Sequence, residues 1–597
     1  MSPTGEEEPS KILQRFIDYL IEKITGIIKD KFAIIAIVII VIIFISLYFV
    51  FRGTSLYTNI ENQIGGFLEL IWAGLTFAAN LGYTVIKKFR NKVLFRDSAS
   101  VVKANKGPKV LLWILDGCSV QAFQDVAKSN KDLKTFYEEG YFAQCVTIFP
   151  SITPAAHSAI LTGCYPSKTR VPAFDWVEVK SDYAKEGENR EYIRCMPDFK
   201  RFKTQFATSK YQKEFFKGLG DAFALNQRFL SPFVYTVFET LGEDWYTISL
   251  KEWIHRGADS FFSASVNDTL KKLTSANIIK QNSMINLMSA LFKEVNYEFG
   301  DLLWGSETYQ KLADLTVYWK TGTDTKSHEY GPNSKQVREE IHEAIDKLAE
   351  TIRFYKMHSN QPIYVIITSD HSQSEVTEFS NLLAEFKEDT SDKYRVADRE
   401  DRSFSDRINN ADIIVANNDR AAFFYAFGEQ QTKNMIRAEI IDYLKVRKEV
   451  DLIFYLEDDQ KKVIQVCDDG LFLGPEDINV FFKGKEMDYP NAIERIEGLM
   501  KGNKWGDVIV SMKEGYSLNP DFKPEKEGEK ILHGDHGGLN FNDSIGPLLI
   551  WGPTIKSNKK DDKLETFRTV DITPIIAKIF KLEHKPADGR VPEEVFL

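Results

Sequence analysis

Short apolar runs alternate with longer stretches of helical periodicity from residue 108 onward. Four runs are almost continuously apolar, and we predict that they form buried strands at 109–115, 315–319, 364–368 and 547–551. The apolar residues in 335–355 recur at the spacing of an amphipathic helix. This alternation predicts an α/β fold in which a mostly parallel central sheet is flanked by helices.

A second set of apolar runs, at 413–416, 422–426 and 452–456, interrupts this order. The runs lie in a charged region rich in turn residues, so we predict an inserted lobe at 375–530. The lobe would divide the core into a first part at 108–374 and a last part at 531–597. Residues 180–300 are rich in aromatic side chains, and we expect them to be mainly helical and to cap the site.

The residues before the core predict a membrane anchor. Residues 32–51 carry no charge, and at about 1.5 Å per residue such a helix crosses a hydrocarbon layer of roughly 30 Å. Residues 1–31 have the pattern of an amphipathic helix, which lies at the membrane interface or packs on another hydrophobic helix. Residues 52–107 form a membrane-proximal linker, with a possible second membrane helix at 64–86.

The side of the membrane depends on that second segment. If 64–86 does not span, Lys23, Lys29 and Lys31 keep the N-terminus inside and place the core outside, the topology we prefer. If it spans, the core faces the cytoplasm, and the basic cluster after residue 86 stays on the same side.

The overall charge and the cysteines exclude several classes. The chain has 597 residues and a formal net charge of −10, whereas a protein that coats nucleic acid needs a basic face. We therefore expect no nucleic-acid polymer as a partner. The five cysteines are scattered without a CxxC pair, which excludes a disulfide framework and a thiolate zinc site.

Acidic and histidine side chains cluster around the ends of the predicted core strands. In parallel sheets, ligands bind beyond the carboxyl ends of the strands, so we expect these side chains to meet there. Carboxylate and imidazole together suit zinc or manganese, and a pair of ions can hold the attacking and the leaving oxygen of a displacement at phosphorus. One Asp-His pair alone is more often a loop anchor than a ligand pair. The candidates are Asp116, Asp324, His328, Asp370, His371 and His536.

Thr153 is the candidate nucleophile. It stands just before the apolar helix predicted at 155–161, where free N–H groups and the helix dipole favour an anion. A metal ion is one way to activate its hydroxyl. The alternative is that Thr153 is only the N-cap of this helix, and alone the residue favours that interpretation. His157 fits a structural partner of this loop better than a ligand.

Together these motifs resemble the type I phosphodiesterase/nucleotide pyrophosphatase family of the alkaline phosphatase superfamily, over about residues 108–590. The resemblance implies an alkaline-phosphatase-like core. It also implies that Asp324, His328 and His536 hold one metal, whereas Asp116, Asp370 and His371 hold the other with Thr153 bound to it. The motifs are LDG at 115–117, PSIT at 150–153 with His157, TGCYP at 162–166, Asp324 with His328 and a following GP, SDH at 369–371, WGDVIV at 505–510 with GY at 515–516, and HGG at 536–538.

Two positions qualify this assignment. An Asn of the animal ecto-enzymes that helps to bind phosphate oxygens corresponds to Phe174 here, which leaves the protein donor to the phosphate and the nucleotide preference open. His533 lies three residues before His536 and is a rival ligand. We prefer His536 because two glycines follow it directly, as in the HisGly turn of the family.

The expected function is a membrane-anchored, two-metal phosphohydrolase that acts on a small phosphodiester or nucleotide through a covalent phosphothreonine at Thr153. The ions are expected to be Zn²⁺, with Mn²⁺ as the other possibility. Alternatives are a phosphomonoesterase, a membrane transferase that moves a phosphoryl-linked head group to a lipid or glycan, and a scaffold that has kept the fold. A scaffold is disfavoured because every expected ligand is present.

Overall fold

A computed structural model describes residues 107–181, 188–195, 225–262, 312–401, 405–467, 471–519, 532–558, 564–583 and 585–597. These residues all belong to one compact unit. The segments 1–31, 32–51 and 64–86 lie outside the described residues, so the membrane anchor stays a prediction. Within the described ranges, no helix is both long and apolar enough to cross a membrane.

The described strands and helices are numbered here in chain order. The first ten strands are β1 (Lys109–Leu115), β2 (Tyr141–Val146), β3 (Asp175–Ser181), β4 (Glu188–Arg194), β5 (Thr247–Leu250), β6 (Ser260–Phe262), β7 (Leu315–Lys320), β8 (Ile363–Thr368), β9 (Ser374–Phe379) and β10 (Val396–Ala397). The later strands are β11 (Ile413–Asn418), β12 (Ala421–Ala426), β13 (Val450–Glu457), β14 (Gln460–Val466), β15 (Phe472–Asp477), β16 (Val508–Met512), β17 (Gly515–Ser517), β18 (Gly534–Asp535), β19 (Ile545–Trp551) and β20 (Thr566–Arg568). The α-helices are α1 (Val120–Ser129), α2 (Lys131–Glu139), α3 (Thr153–Thr162), α4 (Pro166–Thr169), α5 (Val237–Leu241), α6 (Gly322–Tyr330), α7 (Lys335–His358), α8 (Leu382–Asp389), α9 (Ser405–Asn409), α10 (Gln430–Leu444), α11 (Ile478–Phe481), α12 (Ala492–Met500), α13 (Phe541–Ser544) and α14 (Ile572–Ile579).

The larger sheet contains all four core strands that the sequence predicts, as β1, β7, β8 and β19. Among the described residues its order is β20-β2-β19-β8-β1-β7-β5-β6. β1 pairs in parallel with both β7 and β8. β19 runs antiparallel to β8 and to β2, so the sheet is mixed. The expected α/β core with a mostly parallel central sheet is confirmed, with this one strand reversed.

β1 lies in the middle of this sheet, and all of its residues are buried. Val110, Leu112 and Ile114 face a core that includes α3 and α14. On the other face, the indole N–H of Trp113 donates to the carbonyl oxygen of Ala344 in α7 at 3.2 Å. Because helices cover both faces, the strand is apolar at every position except its first, which explains its unbroken run in the sequence.

The described parts of 180–300 include strands where mainly helical structure is expected. β5 pairs in parallel with β7, and β6 pairs in parallel with β5, so both extend the larger sheet. β5 carries the polar residues Thr247 and Ser249, both buried. Thr247 bonds through its backbone N–H to Asp259 at 2.9 Å. These polar positions interrupt the apolar pattern by which a buried strand is recognised.

The smaller sheet, in the part of the chain that the structure describes, has the order β10-β11-β12-β16-β13-β14-β15. β11, β12 and β13 are the strands predicted at 413–416, 422–426 and 452–456. One face packs against α8 and α10, and the other packs against α12. These strands lie within the predicted inserted lobe, whose boundaries stay a prediction.

A third, small sheet joins the end of the core strand β8 to the Gly-rich loop. β9 begins three residues after His371, and β18 pairs antiparallel with it through Gly534 opposite Glu375 and Asp535 opposite Ser374. β17 pairs with β9 in parallel. The pairing of β18 brings His536, the next residue, back beside the end of β8.

Candidate active site

Six acidic and histidine side chains meet at one edge of the larger sheet. β1, β7 and β8 are parallel neighbours, so their carboxyl ends lie together. β19 runs the opposite way, so the loop that enters it reaches the same edge. The residues brought there are Asp116, Asp324, His328, Asp370, His371 and His536.

Asp116, Asp370 and His371 form the first group, and all three are buried. The Nε2 atom of His371 lies 3.3 Å from Oδ2 of Asp370 and 3.6 Å from Oδ1 of Asp116. The indole of Trp319 donates to Oδ2 of Asp116 at 3.0 Å, and the backbone N–H of Gly117 donates to Oδ1 of Asp370 at 3.2 Å. Each carboxylate is therefore held by one oxygen, and its other oxygen lies towards His371.

Those other oxygens show that the first group fits a cation. Oδ1 of Asp116 is buried and accepts no hydrogen bond from the described residues, and Oδ2 of Asp370 is buried with Nε2 of His157 3.2 Å away. Burial raises the pKa of Asp116 well above its ordinary value, and the charges of Asp370 and Asp324 raise it further. A bound divalent cation would satisfy both oxygens and offset the crowded negative charge.

Asp324, His328 and His536 form the second group. Oδ1 of Asp324 lies 3.3 Å from Nε2 of His328 and 3.8 Å from Nε2 of His536. The Nδ1 atoms face carbonyl oxygens, of Gly534 at 2.7 Å for His328 and of Ser151 at 2.9 Å for His536. Nδ1 therefore donates in both rings, and Nε2, which lies towards Asp324, is the nitrogen of each ring that would bind a metal.

Burial and the charge of Asp324 shift the pKa values of the histidines in the second group in opposite directions. Burial would lower the pKa of His328, but the carboxylate of Asp324 dominates and raises it to about 10. Burial and the nearby His371 lower the pKa of His536. Asp324, His371 and His536 offer atoms that all lie within 4.8 Å of one another, so the two groups adjoin.

Thr153 is the first residue of α3, and its N-cap is Ile152, which makes no side-chain capping bond. The Oγ1 atom of Thr153 instead lies 3.1 Å from Nε2 of His371. Thr153 is 5% exposed, so its hydroxyl sits inside the first group rather than at a solvated helix end. The alternative in which this threonine serves only as an N-cap does not describe the structure.

The two positions left open by the sequence carry an exposed imidazole and an apolar ring. The side chain of His533 is exposed, and its backbone bonds to β9 through Val376 at 3.0 Å. Phe174 is partly buried and contacts the ring of Trp253 edge-on, with centroids 6.5 Å apart. An apolar ring thus occupies the position that the family resemblance gives to a phosphate donor.

Sequence reasoning missed the residues that hold the His536 loop. The Oγ atom of Ser151 accepts from the backbone of Gly537 at 3.0 Å. The backbone N–H of Arg420, at the start of β12, donates to the carbonyl of His536 at 3.0 Å. Its guanidinium pairs with Asp543 at 2.9 Å, and both side chains are fully buried. No spacing in the sequence connects Arg420 with this loop, since the link is entirely tertiary.

Asp535 and Asp419 offer further carboxylates next to His536. Oδ2 of Asp535 accepts from the hydroxyl of Ser517 at 2.5 Å, and its Oδ1 accepts from the backbone of His536 at 3.0 Å. Burial and the charge of Asp419 raise the pKa of Asp535 to about 6. Because both of its oxygens accept hydrogen bonds, Asp535 stabilises the loop, and we assign no ion to it.

Comparison with known proteins identifies the family whose pattern this site shares. The family described as type I phosphodiesterase / nucleotide pyrophosphatase matches residues 110–539. Among solved structures, murine ectonucleotide pyrophosphatase / phosphodiesterase 5 is similar at 14% identity and a TM-score of 0.48, over 82% of this chain and 100% of that chain. The human protein of that name gives 14% identity and a TM-score of 0.44, over 81% and 97% of the two chains. In a comparison with curated protein sequences, nothing matches this chain.

Proposed function

Because this chain belongs to the type I phosphodiesterase / nucleotide pyrophosphatase family, we propose that it hydrolyses a phosphodiester or pyrophosphate with Thr153 as the nucleophile and two divalent cations as cofactors. The position of the Thr153 hydroxyl carries the proposal. Its oxygen lies 3.1 Å from Nε2 of His371, the same atom that Oδ1 of Asp116 and Oδ2 of Asp370 face.

The two groups divide the cations between them. Asp116, Asp370, His371 and Thr153 would hold one ion, and Asp324, His328 and His536 would hold the other. Nitrogen and carboxylate donors in this mixture suit Zn²⁺ best, and Mn²⁺ next. When bound, the ions would lower the pKa of the Thr153 hydroxyl and of water, and would offset charge on the phosphoryl oxygens.

The chain itself supplies a nucleophile, an anion-binding helix end and a buried floor. In the first displacement, the hydroxyl of Thr153 loses its proton to solvent and its Oγ1 bonds to phosphorus. The bond to the leaving alcohol or phosphate then breaks, and that oxygen takes up a proton. In the second displacement, a water oxygen bonds to phosphorus, the bond to Thr153 breaks, and the threonine regains a proton. The N-terminus of α3 favours the negative charge on the phosphoryl oxygens throughout.

The substrate follows from the family and from the charge of the site. A nucleotide phosphodiester or pyrophosphate carries one negative charge at the phosphorus under attack, whereas a monoester carries two. The six Asp and His side chains include three carboxylates, and the candidate donor position holds apolar Phe174. A site with this little positive charge from the protein favours the singly charged phosphodiester group.

We also propose that residues 32–51 anchor the enzyme in a membrane with the catalytic part outside. The support is the uncharged apolar run and the lysines that precede it. A protease added to intact cells should then cleave within 375–530. If 64–86 also spans, the same treatment should leave that lobe intact and cut near residues 53–62.

The proposed function is tested by purified full-length protein loaded with zinc or manganese. It should hydrolyse a nitrophenyl nucleotide diester faster than a nitrophenyl monoester, and chelation should abolish both rates. A lipid head-group donor forms the third arm, with a lipid acceptor present. Transfer of the head group without hydrolysis, or a preference for the monoester, would overturn the diesterase assignment.

A further inference from the structure

A buried chain of contacts lies behind the first group. Nδ1 of His157 lies 2.6 Å from Oε2 of Glu252, and its Nε2 lies 3.2 Å from Oδ2 of Asp370. The three side chains are at most 1% exposed. They come from three elements, since Glu252 follows β5, His157 lies in α3, and Asp370 follows β8.

The contacts of His157 exclude a role as a metal ligand, and those of Glu252 engage both of its oxygens. Both nitrogens of His157 face carboxylates, so neither has a lone pair directed at a cation in the first group. The second oxygen of Glu252, Oε1, accepts from the backbone of Ile254 at 3.0 Å. The carboxylate is therefore tied at both ends. A fully buried carboxylate is costly unless it is paired, and the imidazole of His157 lies 2.6 Å from Oε2 of Glu252.

Two tryptophan rings shield this series of contacts from water and link it to the first group. The ring of Trp319 packs edge-on against His157, with centroids 4.9 Å apart, while its indole N–H donates to Asp116. Trp253, next to Glu252 in sequence, packs on Trp319 at 5.2 Å. His157 also lies four residues after Thr153 in the same helix. One contact chain therefore joins the nucleophile's helix to a carboxylate of the metal site.

We propose that Glu252 is a positioning residue that acts through His157 to fix the Asp370 carboxylate relative to Thr153. The inference rests on the proposed function of the first group as a metal site. An outer partner of this kind holds a ligand in the orientation that the metal requires, and its loss typically costs about 10–100-fold in metal affinity or activity. Glu252 touches neither substrate nor metal, so its effect should appear through Asp370 alone.

The test compares Glu252→Gln with the wild-type full chain. Glutamine keeps the size of the side chain and an acceptor for Ile254, but removes the charge opposite His157. We expect one of two metal-binding steps, measured by competition with a chelator, to weaken about 10–100-fold while the other step is unchanged. In saturating metal, kcat should fall while KM changes little. Glu252→Asp, which restores the charge, should recover part of the lost affinity.

Glu178→Gln is the matched control. Glu178 is also largely buried, pairs with Lys504 and accepts from the indole N–H of Trp176. This variant should keep wild-type metal affinity and kcat even if its melting temperature falls. If Glu252→Gln destabilises the fold without changing either metal-binding step, Glu252 is merely structural and the positioning role is wrong.

The outcomes also separate this inference from the proposed function. If wild-type protein binds two ions but hydrolyses no diester, the proposed function fails, whereas a weakened step in Glu252→Gln still supports the positioning role. If wild type binds two ions and turns over, and Glu252→Gln matches it in both, only the positioning role fails. If wild type binds no ion, both are overturned.

Discussion

Oγ1 of Thr153 lies 3.1 Å from Nε2 of His371, although the two residues are 218 positions apart in the chain. The contact joins the start of a fully buried helix to the end of a central strand. Two atoms this close can bind the same cation, and a cation bound to a threonine hydroxyl lowers the pKa of that hydroxyl. The contact is one that the proposed nucleophile requires and that a helix cap does not.

Replacing Thr153 tests this role directly. Thr153→Ala removes the attacking oxygen but leaves all six Asp and His side chains, so metal content should be unchanged while turnover falls by at least about three orders of magnitude. Thr153→Ser keeps a hydroxyl at the same helix position and should retain a substantial fraction of activity. Acid quenching of wild type with labelled diester should trap label on the peptide that contains Thr153. Near-normal turnover by Thr153→Ala would mean that water attacks directly.

Metal content should follow the two groups. Asp324→Ala and His536→Ala should each lower the number of bound ions per chain, as measured by elemental analysis after gel filtration. His533→Ala is the matched control for His536, because its side chain is exposed and lies three residues away. Loss of metal from the His533 variant but not from the His536 variant would reverse the assignment.

Arg420 should be important for stability as well as for the loop that carries His536. Its pair with Asp543 is fully buried, and removal of one partner leaves an unpaired buried charge, which costs about 3–5 kcal/mol. Arg420→Ala should therefore unfold at lower denaturant and bind metal more weakly. Arg447 pairs with Glu385 at a far more exposed position. Arg447→Ala should cost less than about 1 kcal/mol, and an equal loss in both variants would contradict the argument.

Asp451 should make stability depend on pH. Burial raises the pKa of Asp451 to about 6, although the hydroxyl of Tyr489 donates to its carboxylate and partly offsets this. The folded chain therefore holds a proton that the unfolded chain releases near pH 4. This stabilisation is complete below about pH 4 and is lost as the pH rises through about 6. Asp451→Asn should remove this part of the pH dependence in denaturant titrations. An unchanged profile would show that Asp451 ionises normally.

Much of the core could be predicted because burial on both faces leaves an unmistakable pattern. β1 and β8 are mostly apolar runs, and Asp116 and Asp370 lie just after their ends. The same stretch of sequence therefore predicts both the strand and the candidate ligand at its end. The direction of β19 could not be read in this way, since a buried run has the same composition in either direction. β5 was not predicted because the polar residues Thr247 and Ser249 break its apolar run. In the folded sheet both are buried, and the hydroxyl of Thr247 donates to Asp259.

The site was predictable to the extent that its residues sit at strand ends. Asp324 and His328 follow β7 on one helix turn, and their spacing already places them on one face. The contacts of Arg420 and Glu252 depend instead on where separate elements pack. Arg420 reaches the loop from the smaller sheet, and Glu252 reaches His157 from the segment after β5. Neither position has a local pattern that sets it apart from other charged residues.

The reversed strand also has a consequence for the order in which the enzyme is made. A ribosome releases five of the six Asp and His side chains of the site before residue 536 emerges, and β19 follows only after that. β19 lies between β2 and β8, so until it is synthesised β2 has no neighbouring strand that joins it to the sheet, and β20 is made later still. A nascent chain therefore carries Thr153 and most of its acids for hundreds of residues without a complete site. Hydrolytic activity should switch on only as the last tenth of the protein is added.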